Sequence, residues 1–273
     1  MTPTLLVVMC AYNEELHIRA SIDSVLRNTF ENFKLIVIDD GSTDLTPQIL
    51  NEFYRNDSRI TVIRNTENVG IAMSTNIALR NCNTDFVAIM DADDISLPER
   101  FEVQINYLSR HPEIDIVGSS MFSLSGIENN EVRAARHHDL RNSLLKENIV
   151  FNPTVMFRAG IVEKGLFYCN PRYRYTHDYQ IWTRLAVTCK FANIEQPLVI
   201  YRDNKSVGNS NSSSNPFRRE VEVFALRTLL LLRLITSGNF EIVQIRYYFA
   251  SIVKGSTPAF LGIFKQWLRH IKL

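Results

Sequence analysis

Phe86-Val87-Ala88-Ile89-Met90-Asp91-Ala92-Asp93-Asp94 decides how this chain is read. Five apolar residues end abruptly in three carboxylates within four positions. A short apolar run without alternation is the mark of a strand buried on both faces. Like charges crowded at a strand end repel one another, and a cation offsets that cost. Carboxylates on a rigid scaffold are the usual ligands of Mg²⁺ or Mn²⁺ held against substrate phosphates. The same residues also read as an acidic loop entering a helix. Asp94-Ile95-Ser96-Leu97-Pro98-Glu99 offers Ser96 as N-cap and Pro98 in the first turn. Taken alone, the run leaves both readings open.

Upstream, strand and helix patterns alternate. Leu5 to Cys10 reads as a buried strand, Glu14 to Asn28 as a helix, Lys34 to Ile38 as a second strand and Thr43 to Tyr54 as a second helix. Ile60 to Ile63, a turn over Asn65 to Gly70, and a helix from Ile71 to Asn81 lead into the acidic run. This alternation implies βαβ units and a mostly parallel sheet flanked by helices. Each polar motif directly follows a strand: Ala11-Tyr12-Asn13-Glu14, Asp39-Asp40-Gly41-Ser42 and Asp91-Ala92-Asp93-Asp94. Open parallel sheets bind ligands at the carboxyl ends of their strands, so the three motifs should meet in one crevice. No G-x-G-x-x-G follows the first strand and no G-x-x-x-x-G-K-[ST] occurs, which disfavours a dinucleotide site and a P-loop.

Downstream, a helix runs to Arg110 and Ile114 to Gly118 begins a strand; then the alternation weakens. His137 to Asn148 and Ala159 to Gly165 read as helices, Pro153 to Phe157 and Pro197 to Arg202 as strands. A helix starts at His177-Asp178-Tyr179. The expected organisation is an α/β domain over 1–202, with a nucleotide half (1–110) and an acceptor half (111–202). An Asn/Ser-rich loop (203–216) and a basic, amphipathic helical segment (217–273) follow.

The 273 residues are 45% hydrophobic and 22% charged, an ordinary globular profile. A net charge of +1 makes no case for nucleic acid, but the charge is uneven. Residues 217–273 carry nine Lys+Arg against three Asp+Glu, and residues 1–216 carry 21 against 26. A basic amphipathic segment suits an anionic membrane surface, and equally a cap on the fold or a dimer interface. Four cysteines without C-x-x-C spacing point to a reducing cytoplasm. No signal peptide is read at the start, and no run approaches the ~20 apolar residues of a membrane span.

Together these motifs resemble a family-2 glycosyltransferase of the GT-A fold, of the kind that builds bacterial O-antigen and capsule. The resemblance covers about residues 4 to 202. It rests on the three strand-end motifs, Asn65 to Gly70, Pro98-Glu99-Arg100-Phe101, Asn152-Pro153-Thr154-Val155-Met156-Phe157-Arg158, His177-Asp178-Tyr179 and Tyr201-Arg202. It implies a UDP-sugar donor, a divalent metal (Mn²⁺ or Mg²⁺) and inversion at the anomeric carbon. Asp91-Ala92-Asp93 then becomes the D-x-D motif, with Asp93 on the metal, helped by Asp91 or Asp94. Asp40, with Asp39 beside it, takes the position that contacts the base. Cys10, Ala11, Tyr12 and Asn13, with Asn68 and Gly70, line the nucleotide. Glu14 reads as readily as a first-turn residue complementing the helix dipole. Asp178 becomes the base that deprotonates the acceptor hydroxyl. His177 stands where the family usually has an acid, and Asn152 where many members have His. His177 would orient Asp178, tune its proton affinity or contact the acceptor, and Asn152 would line the acceptor or donor pocket; Arg202 would help close the site, or is a surface residue at a strand end.

The resemblance further implies a glycan acceptor, often a sugar on a polyprenyl diphosphate at the inner membrane face. Two other readings stand beside it. A nucleotidyltransferase would carry a Gly-rich basic loop where Ala11-Tyr12-Asn13-Glu14-Glu15 stands. A non-catalytic sugar- or nucleotide-binding module could share the fold. Trp182 and Trp267 read as core or interface aromatics. His137-His138-Asp139 lacks zinc-ligand spacing and reads as surface, or at most as acceptor contacts.

Overall fold

The computed structural model describes residues 3–80, 82–124, 137–202 and 216–255, with side chains at 137–139 and 250–255 left out. β1 (Leu5–Ala11) lies between β2 (Phe33–Asp39) and β4 (Phe86–Asp91), parallel to both, and β2 pairs in parallel with β3 (Ile60–Arg64). The register sets Cys10 beside Ile38 and Asp91, and Ala11 beside Asp39. The first strand-end motifs are therefore level with one another. The sheet order is β3-β2-β1-β4-β7-β6-β8-β5, and it adds β5 (Ile95–Ser96), β6 (Ile116–Ser123), β7 (Met156–Arg158) and β8 (Phe191–Tyr201). β7 runs antiparallel to β4 and β6, β6 pairs in parallel with β8, and β5 is antiparallel to β8. The chain winds outward from β1 on one side and to β4 on the other, so the crevice between them is a topological switch point.

The apolar runs are continuous because both faces of the sheet are covered. Leu5, Val7, Met9, Leu35, Val37, Ala88 and Met90 point to one core. Against it pack α1 (Ile18–Leu26), α2 (Thr46–Asn56) and α4 (Arg100–Arg110). Leu6, Val8, Ile38, Val87 and Ile89 point to the other. That core takes residues from α3 (Ile71–Leu79), α5 (His137–Ser143), α6 (Gly160–Glu163), α7 (His177–Leu185) and α8 (Pro216–Thr236). Trp182 sits there fully buried, edge-on to Phe167 and Phe191. α9 (Ile242–Gly255) follows α8 after Gly238, whose φ of 73° suits only glycine without strain.

Four local readings change. α1 starts at Ile18, not Glu14: Asn13 takes a left-handed φ of 56°, outside helical geometry, and the Glu14 N–H donates to Thr46 Oγ1. Ser96 is no N-cap: it lies in β5, opposite Val199, and α4 begins without a side-chain cap. Asn152–Thr154 is one turn of 3-10 helix preceding β7. β8 begins six residues before Pro197, which the strand tolerates because it falls at a register shift opposite Ser120.

α8 buries Glu222, Leu226, Leu230 and Leu234, a stripe with a spacing of four. Its first half lies on α7, where Glu222 Oε2 accepts from the Tyr175 N–H at 3.2 Å and the Thr176 hydroxyl at 2.9 Å. α8 thus packs against the fold through this buried stripe. The Asn/Ser-rich 203–215 and Trp267 lie outside the described residues.

Candidate active site

A single cleft of about 1220 Å³ opens at the carboxyl ends of β1, β2 and β4. It exceeds the ~300–1,000 Å³ of a pocket for one drug-sized ligand. Cys10, Ala11, Tyr12, Asp40, Asn68, Gly70, Asp91, Ala92, Asp93, Asn152, His177 and Asp178 all line it. Asn13, Asp39, Asp94 and Arg202 do not.

The end of the cleft at β1 and β2 is built by loops holding one another. Asp40 accepts the Asn65 side-chain amide at 2.8 Å, the Val69 N–H at 3.0 Å and the Gly70 N–H at 2.8 Å, so it shapes the 65–70 turn. Gly41, at φ 75°, lets that turn come close: a Cβ there would lie 2.6 Å from the Glu67 carbonyl carbon. Asn13 joins the loops after β1 and β2, accepting from the Thr43 N–H at 2.8 Å while its own N–H donates to Ser42 Oγ at 3.0 Å. Asp39 is buried, accepts from the Ser42 N–H at 2.9 Å and contacts the Arg64 guanidinium at 3.2 Å as an ion pair. Both residues act on the loops, and neither reaches the cleft.

The acidic run divides in the same way. Burial, then the neighbouring Asp93 charge, pushes Asp91 up to about 7. Asn152 donates to Asp91 Oδ1 at 3.3 Å, which sets it beside the acidic pole. Asp94 is fully buried, and desolvation lifts it to about 9; its Oδ1 accepts the Arg202 N–H at 2.8 Å. It is thus neither a helix cap nor a cleft-facing ligand, but a buried post for the strand end. Arg202 completes that corner by donating its Nε–H to the Asp93 carbonyl at 2.9 Å. Beneath, Arg100 is wholly buried and donates to the Ile89 carbonyl at 2.8 Å. Burial pulls it down to about 9, still cationic at neutral pH, where it faces Asp91 and Asp94.

Among the described residues, no group of three His, Cys, Asp or Glu forms a complete metal cage. Asp91 and Asp93 nonetheless suit a hard cation that takes its remaining oxygens from substrate and water, as Mg²⁺ and Mn²⁺ do.

Asp178 stands in the first turn of α7, where its Oδ2 accepts from the Asn148 side-chain amide at 2.8 Å. It is close enough to raise Asp91 through space. The sequence does not assign several lining residues to the site, among them Asn148, Arg174, Arg219 and Arg227, and it leaves Glu14 open. Asn148 comes from an irregular turn and offers no sequence signal. Glu14 does follow a strand, as the other motifs do; burial, then Asp93, lifts it to about 7, which marks it as part of the acidic pole.

This sheet, with its switch-point cleft and acidic pole, is the GT-A architecture of nucleotide-sugar transferases. The model of "Glycosyl transferase family 2" matches residues 6–183, and the chain belongs to that family. It is 35% identical over 222 residues to an uncharacterized glycosyltransferase of Haemophilus influenzae, covering 77% of this chain and 68% of that one. It is 28% identical over 240 residues to the O-antigen biosynthesis glycosyltransferase WbnJ of Escherichia coli (85% and 91% covered). Another E. coli relative is the UDP-Glc:alpha-D-GlcNAc-diphosphoundecaprenol beta-1,3-glucosyltransferase WfgD, 29% identical over 215 residues (78% and 80% covered). Two solved structures share the fold. One is S. aureus TarS 1-349 in complex with UDP-GlcNAc, at TM-score 0.73 and 19% identity, covering 91% of this chain and 71% of that one. The other is the Pyrobaculum calidifontis mannosyltransferase PcManGT in complex with GDP-Man and Mn²⁺, at TM-score 0.61 and 19% identity (100% and 82% covered). Family membership decides against a nucleotidyltransferase.

Proposed function

We propose that this glycosyltransferase moves a hexose from a UDP-sugar to a glycan acceptor in bacterial surface polysaccharide synthesis, with inversion. One observation carries the reading: Asp91 and Asp93 at the strand ends share a cleft with Asp178 at the start of α7. An inverting transfer is one displacement. It needs a counter-charge for the leaving diphosphate and a base on the opposite face of the sugar. Asp93 and Asp91 would hold Mn²⁺ or Mg²⁺, which when bound offsets charge on the leaving diphosphate. Cys10, Ala11, Tyr12, Asn68, Gly70 and Asp40 would receive the nucleoside. Asp178 would take the acceptor proton, oriented by Asn148 with His177 beside it.

WbnJ and WfgD support the polysaccharide setting, and TarS supports a UDP-sugar donor. WfgD's diphosphoundecaprenol-linked substrate supports a lipid-linked acceptor here. An acceptor of that kind would bring the protein to the inner face of the cell membrane as a peripheral enzyme. Among the described residues, no helix is long and apolar enough to cross a membrane.

The test is a screen of UDP-sugars for slow hydrolysis by water. UDP release is expected with Mn²⁺ or Mg²⁺ for one or two sugars, and its loss on chelation. Release from no UDP-sugar with either ion would overturn the reading.

A further inference from the structure

The cleft also carries cations. Arg174 precedes α7, and Arg219 and Arg227 stand on α8; all three line the cleft, with Glu147 and Asp178 among the other lining residues. Arg219, Val223 and Arg227 are spaced by four, so they form one ridge of the helix that spans about 12 Å at 1.5 Å per residue. The ridge is fixed relative to Asp178. Glu222, in the neighbouring stripe, bonds to Tyr175 and Thr176, and Leu226 is buried in the same core as Tyr179. Arg227 donates its Nε–H to the Tyr179 hydroxyl at 3.2 Å, and its guanidinium lies 6.0 Å from that ring. Among the described residues, neither Arg174 nor Arg219 is paired with a carboxylate. Tyr173 and Tyr175, on either side of Arg174 in the chain, also line the cleft.

We infer that Arg219 and Arg227, with Arg174, form a binding site for the diphosphate of the acceptor, separate from the donor diphosphate. The inference rests on the transferase reading above and adds the residues that select the acceptor. Its physical basis is charge. Glu14, Asp91 and Asp93 line the cleft together, where a divalent ion would serve one diphosphate. A second diphosphate is better matched by cationic side chains of the protein itself. Arginine forks are the side chains best shaped for phosphate oxygens. The ridge places them on the α7 side, next to the proposed base, where an acceptor must lie.

The same chemistry could serve the donor instead, and two binding measurements separate the sources. The first is affinity for UDP with Mn²⁺. The second is affinity for farnesyl diphosphate on protein already saturated with UDP and Mn²⁺. Arg219→Gln is the primary variant, because Arg219 is exposed and its loss leaves the core untouched. Arg219→Gln should weaken farnesyl diphosphate binding about tenfold, and the Arg174→Gln/Arg219→Gln pair further, with UDP affinity within about twofold of wild type. Three outcomes overturn the site: farnesyl diphosphate binding that ignores these substitutions, its absence from UDP-loaded wild type, or an equal loss of UDP affinity. A wild-type protein that releases UDP from no UDP-sugar fails the transferase reading itself. One that releases UDP yet shows any of these three outcomes fails only this site.

Discussion

Glu222→Ala probes how the C-terminal helix governs the catalytic cleft. Glu222 is nearly buried, and its Oε2 takes two hydrogen bonds from the residues immediately before α7. Hydrogen bonds to a charged group contribute ~1.5–3 kcal/mol each. The Thr176 hydroxyl can turn to another partner after truncation, whereas the Tyr175 N–H cannot. The expected loss is therefore about 2–4 kcal/mol, with the Arg218 contact at 3.6 Å adding little because Arg218 is exposed. Asp178 lies two residues beyond Thr176, so slack at that start misplaces the proposed base more than the nucleotide loops. Urea unfolding should give the stability loss. Transfer should fall about 10–100-fold, a barrier rise of ~1.4–2.7 kcal/mol, mainly in kcat. Affinity for UDP with Mn²⁺ should stay within about twofold. Glu222→Gln keeps an acceptor oxygen and should recover most of the transfer. An unchanged urea midpoint with unchanged transfer would refute the clamp. A matching collapse of UDP affinity would show general damage instead.

Other outcomes follow from the same structure. Leu230→Ala, at a fully buried position on α8, should cost ~2–5 kcal/mol in urea unfolding, and a cost under ~1 would mean α8 is not part of the core. Gly41→Ala should cost at least ~1–2 kcal/mol and weaken UDP binding, since a Cβ at this positive φ displaces the Glu67–Asn68 backbone; calorimetric titration with UDP reads the second effect. Burial lifts the Cys10 and Cys169 thiols to about 12, so at pH 8 only ~1 in 10⁴ is thiolate. Mass spectrometry after iodoacetamide treatment should find both unlabelled in the native protein and labelled in urea; raising the pH toward 10 should increase native labelling, because the reactive form is the deprotonated one.

The fold is legible in the sequence where burial is two-sided. The runs from Leu5, Leu35 and Phe86 are apolar throughout because alternate residues feed two cores, and their polar endings mark the cleft. What stays hidden is decided by distant partners. Ser96 looks like a cap in its own neighbourhood, but its strand is made by Val199, about a hundred residues away. Asp94 differs from Asp91 and Asp93 only in being enclosed, and the Arg202 N–H that it accepts lies equally far along the chain. Asn13 and Asp39 share the motifs of the cleft but hold its loops from behind. The stripe of Leu226, Leu230 and Leu234 is legible as amphipathic, yet amphipathicity does not say whether protein or membrane receives it. Glu222 and the arginine ridge acquire meaning only once α8 is seen lying on α7.

The most direct test of the account compares Asp93→Ala with Asp178→Asn in one experiment, measuring both UDP–Mn²⁺ binding and sugar transfer. The two carboxylates line one cleft but are given opposite tasks. Asp93→Ala should lose metal-dependent UDP binding and transfer together. Asp178→Asn should bind UDP with Mn²⁺ as wild type does and transfer no sugar. Wild-type transfer by Asp178→Asn, or metal-dependent UDP binding that survives Asp93→Ala, would contradict the account.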